Sequence, residues 1–206
     1  MQKNVRNQFL QSTGIFAIIG LEKQVWGDYV FTELIQIEKL KEIDRKLTVC
    51  TKNGEYSKDN ANRSCLTAYW EAEGERSAIA IGINPSKAND RRSDKTITTL
   101  SRFLDAYGYS EIYMLNIFES YSTQQSGIDK ATKTDFKKYA SLFEKVDAVF
   151  IVWGLDDDYK DEKKEILSFL KQYEDKLFCL KNQNNRYPIH PSRMKYNDSL
   201  VQCKIS

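Results

Sequence analysis

The chain has 206 residues, of which 41% are hydrophobic and 29% charged, a composition typical of one globular domain with a substantial core. A single histidine and four widely spaced cysteines without a CxxC pair argue against a metal centre, so we expect free thiols in a reducing cytoplasm. No apolar run approaches the ~20 residues of a membrane span, and the first residues do not resemble a secretory signal.

The first 70 residues carry weak signals. The apolar spacing of Leu34, Ile35, Ile37 and Leu40 predicts a helix over residues 31–40. Residues 52–63 are polar with Asn-Gly and Asp-Asn turn signals, which predicts a loop or the end of a hairpin. We expect residues 1–206 to form a single domain, with 1–70 as an N-terminal elaboration of a core that spans 71–206.

Strand and helix signals alternate after residue 70. Continuous apolar runs predict four strands, at residues 78–83, 112–116, 148–153 and 177–180. Helices are predicted between them: one capped by Asp94 or Thr96 and ended by Gly108, one from Thr134, and one after the acidic residues 156–158. The alternation predicts an α/β fold, a three-layer α/β/α arrangement around a four-stranded parallel sheet.

Three short motifs follow predicted strands. They are Gly82-Ile83-Asn84-Pro85-Ser86, Met114-Leu115-Asn116 and, about ten residues past the last strand, His190-Pro191-Ser192. Ligands of an open parallel sheet bind beyond the carboxyl ends of its strands. We therefore expect Asn84, Asn116 and His190 to point into one cleft, where they can hold a planar polar ring and stabilise charge on it.

Basic residues concentrate beside this expected cleft. Residues 181–206 hold five basic residues and one acid, and residues 86–103 hold five basic residues and two acids. The helical stretch 156–176 has eight acids and five bases. Basic margins suit a polyanion or a phosphate, although the same charges also fit solvated surfaces.

These motifs resemble those of the uracil-DNA glycosylase-like superfamily. Gly82-Ile83-Asn84-Pro85 is similar to the first motif of the mismatch-type enzymes, His190-Pro191-Ser192 to the second, and Met114-Leu115-Asn116 to the base-reading strand end. The strand that ends at Trp153-Gly154 is also similar to one in that superfamily. A closer resemblance is to the bacterial and phage family DUF1643, on Asn84-Pro85-Ser86, Asp94-Lys95-Thr96-Ile97, Asn116-Ile117-Phe118 and Arg186-Tyr187-Pro188-Ile189-His190-Pro191.

The resemblance implies a glycosylase-like fold and a set of roles. His190 would stabilise the departing base and Asn84 would orient water, without a metal or an organic cofactor. Asn116 would read the base edge. Phe118, Tyr121 or Tyr187 would stack on the base, in place of an aromatic residue that the superfamily has after the first motif and that is missing here. Contacts to phosphates and a wedge into DNA would fall to four residues: Ser192, Arg193, Met194 and Lys195.

Other interpretations stay open. The protein is expected to act on DNA or a nucleotide as an N-glycosidase, but a catalytically silent nucleic-acid or nucleotide-binding module and a phage-type interaction or inhibitory protein fit the same patterns. An amide cannot accept a proton at neutral pH, so Asp90 or Asp94 is an alternative base to Asn84. Trp153 fits simple packing at a strand end.

Overall fold

The computed structural model describes residues 23–26, 29–35, 47–58, 61–121, 129, 132–195 and 198–205. These residues form nine strands and three α-helices. The strands are β1 (Lys23–Trp26), β2 (Tyr29–Ile35), β3 (Cys50–Tyr56), β4 (Arg63–Tyr69), β5 (Arg76–Gly82), β6 (Tyr109–Asn116), β7 (Ala148–Ile151), β8 (Leu177–Lys181) and β9 (Ser199–Ile205). The helices are α1 (Lys95–Asp105), α2 (Ala140–Lys145) and α3 (Lys160–Leu170), with short 3-10 helices at Phe136–Tyr139, Lys171–Lys176 and Pro191–Arg193.

All nine strands belong to one sheet, in the order β1-β2-β9-β8-β7-β5-β6-β4-β3. The four strands predicted after residue 70 are parallel neighbours at its centre, in the order β6-β5-β7-β8. The sheet is nevertheless larger than the expected four strands, because β4 of the hairpin β3–β4 pairs antiparallel with β6, β9 pairs antiparallel with β8, and β2 of the hairpin β1–β2 pairs antiparallel with β9. These additions cover the edges that a four-stranded parallel sheet would leave unpaired.

The mixed α/β class is confirmed, with helices on both faces of the sheet. Side chains alternate along a strand, so Ile79 and Ile81 of β5 face one side while Ala78 and Ala80 face the other. The isoleucines pack in a cluster with Phe143 of α2 and with Ile166, Leu167 and Leu170 of α3. The alanines pack in a second cluster with four residues of α1: Ile97, Leu100, Phe103 and Leu104.

The helix predicted over residues 31–40 is wrong for its described part. Residues 29–35 form strand β2, which pairs antiparallel with β9 in a register that sets Phe31 opposite Cys203; residues 36–40 lie outside the described residues. A short apolar segment fits either a helix or a strand, and pairing with the distant C-terminal strand selects the strand here. For residues 52–63, predicted as a loop or the end of a hairpin, the described residues fit the hairpin, since β3 extends to Tyr56 and β4 begins at Arg63.

The predicted cap of the helix after β5 matches the structure. The Asp94 carboxylate caps α1, because its Oδ1 accepts a hydrogen bond from the Ile97 N–H at 3.0 Å.

The longest α-helices among the described residues, α1 and α3, have 11 residues each, and none is suited to crossing a bilayer.

Candidate functional site

A cavity of about 230 Å³ opens at the carboxyl ends of the central parallel strands. The chain passes from β5 to β6 on one side and returns to β7 on the other, so the strand order reverses between β5 and β7. Such a switch point leaves a crevice between the loops that leave the two strands. The cavity is lined by Gly82, Ile83, Asn84, Ser86, Thr96, Met114, Asn116, Trp153, Gly154, Asp156, His190, Ser192 and Arg193.

The structure thus brings together all three residues expected at the strand ends. Asn84 follows β5, Asn116 ends β6, and His190 precedes the 3-10 helix Pro191–Arg193. Ser192 and Arg193 of the expected phosphate-binding segment also line the cavity. Their chemical roles stay predictions.

The Asn116 amide is held from inside the protein. Its side chain is 1% exposed and lies beside Gly82, the residue that pairs with Asn116 across β5 and β6. In the orientation that satisfies its surroundings, the amide nitrogen donates to the carbonyl oxygens of Leu115 at 3.3 Å and Asn84 at 3.1 Å. Both N–H groups are then engaged, so the carbonyl oxygen is the group that Asn116 can present to a ligand.

The contacts of His190 with Ser192 favour one tautomer, in which Nδ1 also accepts from the Ser192 hydroxyl at 2.8 Å. The same Nδ1 accepts a hydrogen bond from the Ser192 backbone N–H at 3.2 Å, which leaves the proton of the neutral ring on Nε2. Burial lowers the pKa of His190, and the Arg193 guanidinium lowers it further, while Asp94 and Asp156 oppose the shift. The ring is therefore a neutral Nε2–H donor beside the cavity near neutral pH.

The loop after Asn84 is braced by the hairpin β3–β4. Arg63 is completely buried, and its Nη1 donates to the Ala88 carbonyl oxygen. The Thr51 hydroxyl donates to the Asn89 carbonyl oxygen, and the Gly54 N–H donates to Asp90 Oδ1 at 2.6 Å. The hairpin therefore positions the loop that carries Asn84 and Ser86.

Asp156 and Trp153 are the main lining residues that sequence reasoning did not place in the site. Both follow β7, whose carboxyl end lies at the same edge as those of β5 and β6. That shared edge was the available signal, but the acids at 156–158 also fit the start of a helix. Asp156 Oδ1 pairs with the buried Lys163 Nζ at 3.2 Å, and the same ammonium donates to the Asp156 carbonyl oxygen at 2.8 Å.

The two carboxylates proposed as alternative bases do not line the cavity. Asp90 is exposed and accepts the hydrogen bond from Gly54, and Asp94 is the cap of α1. The contacts of Asp90 and Asp94 are therefore those of a loop residue and of a helix cap.

Several expected ligand-contacting residues lie elsewhere. Phe118 is completely buried and packs edge-to-face on Tyr159, with ring centroids 4.9 Å apart, so it cannot stack on a base in the cavity. Tyr187 is buried in the same core, and Tyr121 lies over the Arg63 guanidinium. Among the described residues, Trp153 lines the cavity, but it is almost completely buried in the same core.

Of the four residues expected to contact DNA, Met194 and Lys195 do not line the cavity. Met194 is partly buried against the α1 side of the core, which removes its thioether from the position of a free wedge. Lys195 is exposed outside the cavity lining, and its backbone N–H donates to Asp198 Oδ2 at 2.7 Å.

These features define a mixed α/β protein with a small polar cavity at the carboxyl ends of parallel strands. The chain belongs to the DUF1643 family of proteins of unknown function, whose model matches residues 63–192, more than half of the sequence. The matched segment contains Asn84, Asn116, Asp156 and His190. No curated protein and no solved structure matches the chain.

Proposed function

We propose that the protein is an N-glycosidase with a uracil-DNA glycosylase-like fold, which hydrolyses the bond between a nucleobase and its sugar in DNA or in a nucleotide. The observation that carries the proposal is the meeting of Asn84, Asn116 and a neutral His190 in one cavity. The parallel strands β6, β5, β7 and β8 would form the core of that fold.

Cleavage of an N-glycosidic bond leaves negative charge on the departing base and positive charge on the sugar. The Nε2–H of His190 is a suitable donor to a base oxygen on which that negative charge gathers. Because the ring is neutral before the reaction, its hydrogen bond strengthens as the charge develops, and this difference is what lowers the barrier.

The other two side chains suit binding of the base and of water. The Asn116 carbonyl oxygen accepts a hydrogen bond from an N–H on the Watson–Crick edge of the base. Asn84 orients the attacking water. The sequence offers no aromatic residue between Ser86 and Ser101, and Trp153, although it lines the cavity, is 3% exposed and belongs to the hydrophobic core.

The size of the cavity favours a single base over a whole nucleotide. Its volume of about 230 Å³ lies below the range of roughly 300–1,000 Å³ found for sites that enclose drug-sized ligands. A flipped base would enter, while the sugar and phosphates remain at the mouth near Arg193.

The test is a screen of the purified protein for released bases and abasic sites, across normal, deaminated and modified DNA and free nucleotides. On a substrate found in this way, His190→Ala should lose about 10²–10³ in single-turnover rate, as expected for removal of one donor to a developing anion. His190→Asn is the matched variant, because Asn also caps a helical turn but its shorter side chain does not place an N–H where Nε2 lies.

The two variants separate chemistry from folding. Both should lose the rate, whereas only His190→Ala should lose the cap and the associated stability. Full rate in both variants would exclude His190 from the reaction. Binding of a base-containing ligand without any release would instead favour a silent binding module in the same cavity.

A further inference from the structure

One carboxylate lines the cavity among the described residues, and it belongs to Asp156. We propose that Asp156 is the catalytic base of this site and takes a proton from the water that attacks the sugar. The inference rests on the proposed glycosidase function. Among the described lining residues, Asp156 offers a carboxylate as proton acceptor, whereas the amide of Asn84 can orient water but cannot take its proton.

The Asp156 carboxylate is anchored at one oxygen. The Lys163 side chain is only 5% exposed, and its ammonium holds both Oδ1 and the backbone carbonyl oxygen of Asp156. Asp156 lines the cavity, and its side chain remains 39% exposed.

The second oxygen, Oδ2, lies close to Gly154. An ideal Cβ built on Gly154 would lie 3.5 Å from Asp156 Oδ2 and 3.5 Å from the His190 Cβ. Oδ2 and the His190 side chain therefore flank the same glycine. Gly154 has a φ of +94°, a conformation that other residues rarely adopt, and this turn directs the chain from β7 back toward the cavity.

Hydrolysis at this site needs only water as a second reactant. The water oxygen forms a bond to the anomeric carbon of the sugar as the bond from that carbon to the base nitrogen breaks. The electron pair of the broken bond passes to the base, where His190 Nε2–H stabilises it. The proton of the water passes to Asp156 Oδ2 and then to the departing base, which returns the carboxylate to its starting state.

Asp157 provides a matched control one residue along the chain. Its carboxylate pairs with Lys160 at 3.4 Å, much as Asp156 pairs with Lys163, but it is 71% exposed and does not line the cavity. On a substrate identified by the screen, Asp156→Asn should lower the single-turnover rate by about 10²–10⁴-fold, and Asp157→Asn should leave it unchanged. The amide oxygen at position 156 can still accept from Lys163, so the fold should be retained.

Chemical rescue distinguishes a catalytic carboxylate from a structural one. Asp156→Ala opens space beside the cavity, and added sodium formate should restore part of its rate if the missing function is proton acceptance. The same formate should not accelerate the wild-type protein or His190→Ala.

The outcomes separate this inference from the proposed function. A wild-type protein that releases a base while Asp156→Asn keeps the full rate would overturn the inference and leave the glycosidase in place. A loss of rate in Asp156→Ala without any formate rescue would also overturn it, since the residue would then act through structure. A wild-type protein that releases no base from any substrate would overturn both.

Discussion

Replacement of Gly82 by alanine should displace Asn116 from its position in the cavity. An ideal Cβ on Gly82 would lie 2.8 Å from the side-chain amide of Asn116 and 2.9 Å from Met114 Cε. Gly82 is not among the residues with positive φ, so alanine is compatible with the strand backbone and the effect comes from crowding. Met114 Cε ends a flexible side chain and can move, but the Asn116 amide is hydrogen-bonded and almost completely buried.

The magnitude follows from these contacts. Overpacking costs about 1–3 kcal/mol, and each of the two Asn116 hydrogen bonds contributes about 0.5–1.5 kcal/mol that disappears if the amide moves. Removing a glycine from the unfolded chain offsets ~0.4–1 kcal/mol of this loss. These contributions span about 1–6 kcal/mol, and we expect a net decrease of ~2 kcal/mol in the free energy of unfolding, in the lower part of that span, because the flexible Met114 side chain can move away.

Urea denaturation measures the effect. With a slope of roughly 1–3 kcal/mol per molar urea, the midpoint should fall by about 1 M at unchanged slope. In a double-mutant cycle, Gly82→Ala should cost much less in an Asn116→Ala background, with a coupling energy of about 1–2 kcal/mol. The corresponding cycle with Met114→Leu should show little coupling. An equal loss in the Asn116→Ala background would refute the proposed contact.

Three further predictions concern ionisation, exposure and charge. Because the pKa of His190 is lowered from 6.5 in the folded state, the unfolded chain binds more protons as the pH falls below that value. As the pH falls from this value, the free energy of unfolding of the wild type, measured by urea denaturation, should decrease relative to that of His190→Asn. A difference between the two proteins that does not change with pH would contradict the lowered pKa. Cys50 is exposed and the other three cysteines are buried, so an aromatic disulfide reagent should modify one thiol rapidly in the native protein and four in denaturant. Reversal of charge at Arg193 and Lys195 should weaken affinity for single-stranded DNA regardless of sequence and flatten its salt dependence, by about 0.7 in slope for each phosphate that is no longer neutralised; salt-independent binding, or none at low salt, would favour an interaction protein.

Local sequence features were sufficient to predict the central strands and the helix after β5. The run Ala78-Ile79-Ala80-Ile81 is apolar at every position because both faces of β5 are covered by helices. Asp94 and the apolar spacing that follows it predicted the start and the inner face of α1. The motifs at strand ends predicted that Asn84, Asn116 and His190 would lie together, since the carboxyl ends of parallel strands share one edge.

Features that depend on distant parts of the chain were decided only by the tertiary structure. Strand β2 forms because it pairs with β9, about 170 residues later, and not because of its own apolar spacing. Phe118 follows a base-reading motif, yet packing against Tyr159 buries it in the core. The position of the chain after β7 brings Asp156 to the cavity, and Lys163 holds it there. The sequence by itself therefore determined which segments are apolar and where polar residues end them, because those properties depend on neighbours along the chain. Which side chains face the cavity was decided by pairing and packing between segments far apart in sequence.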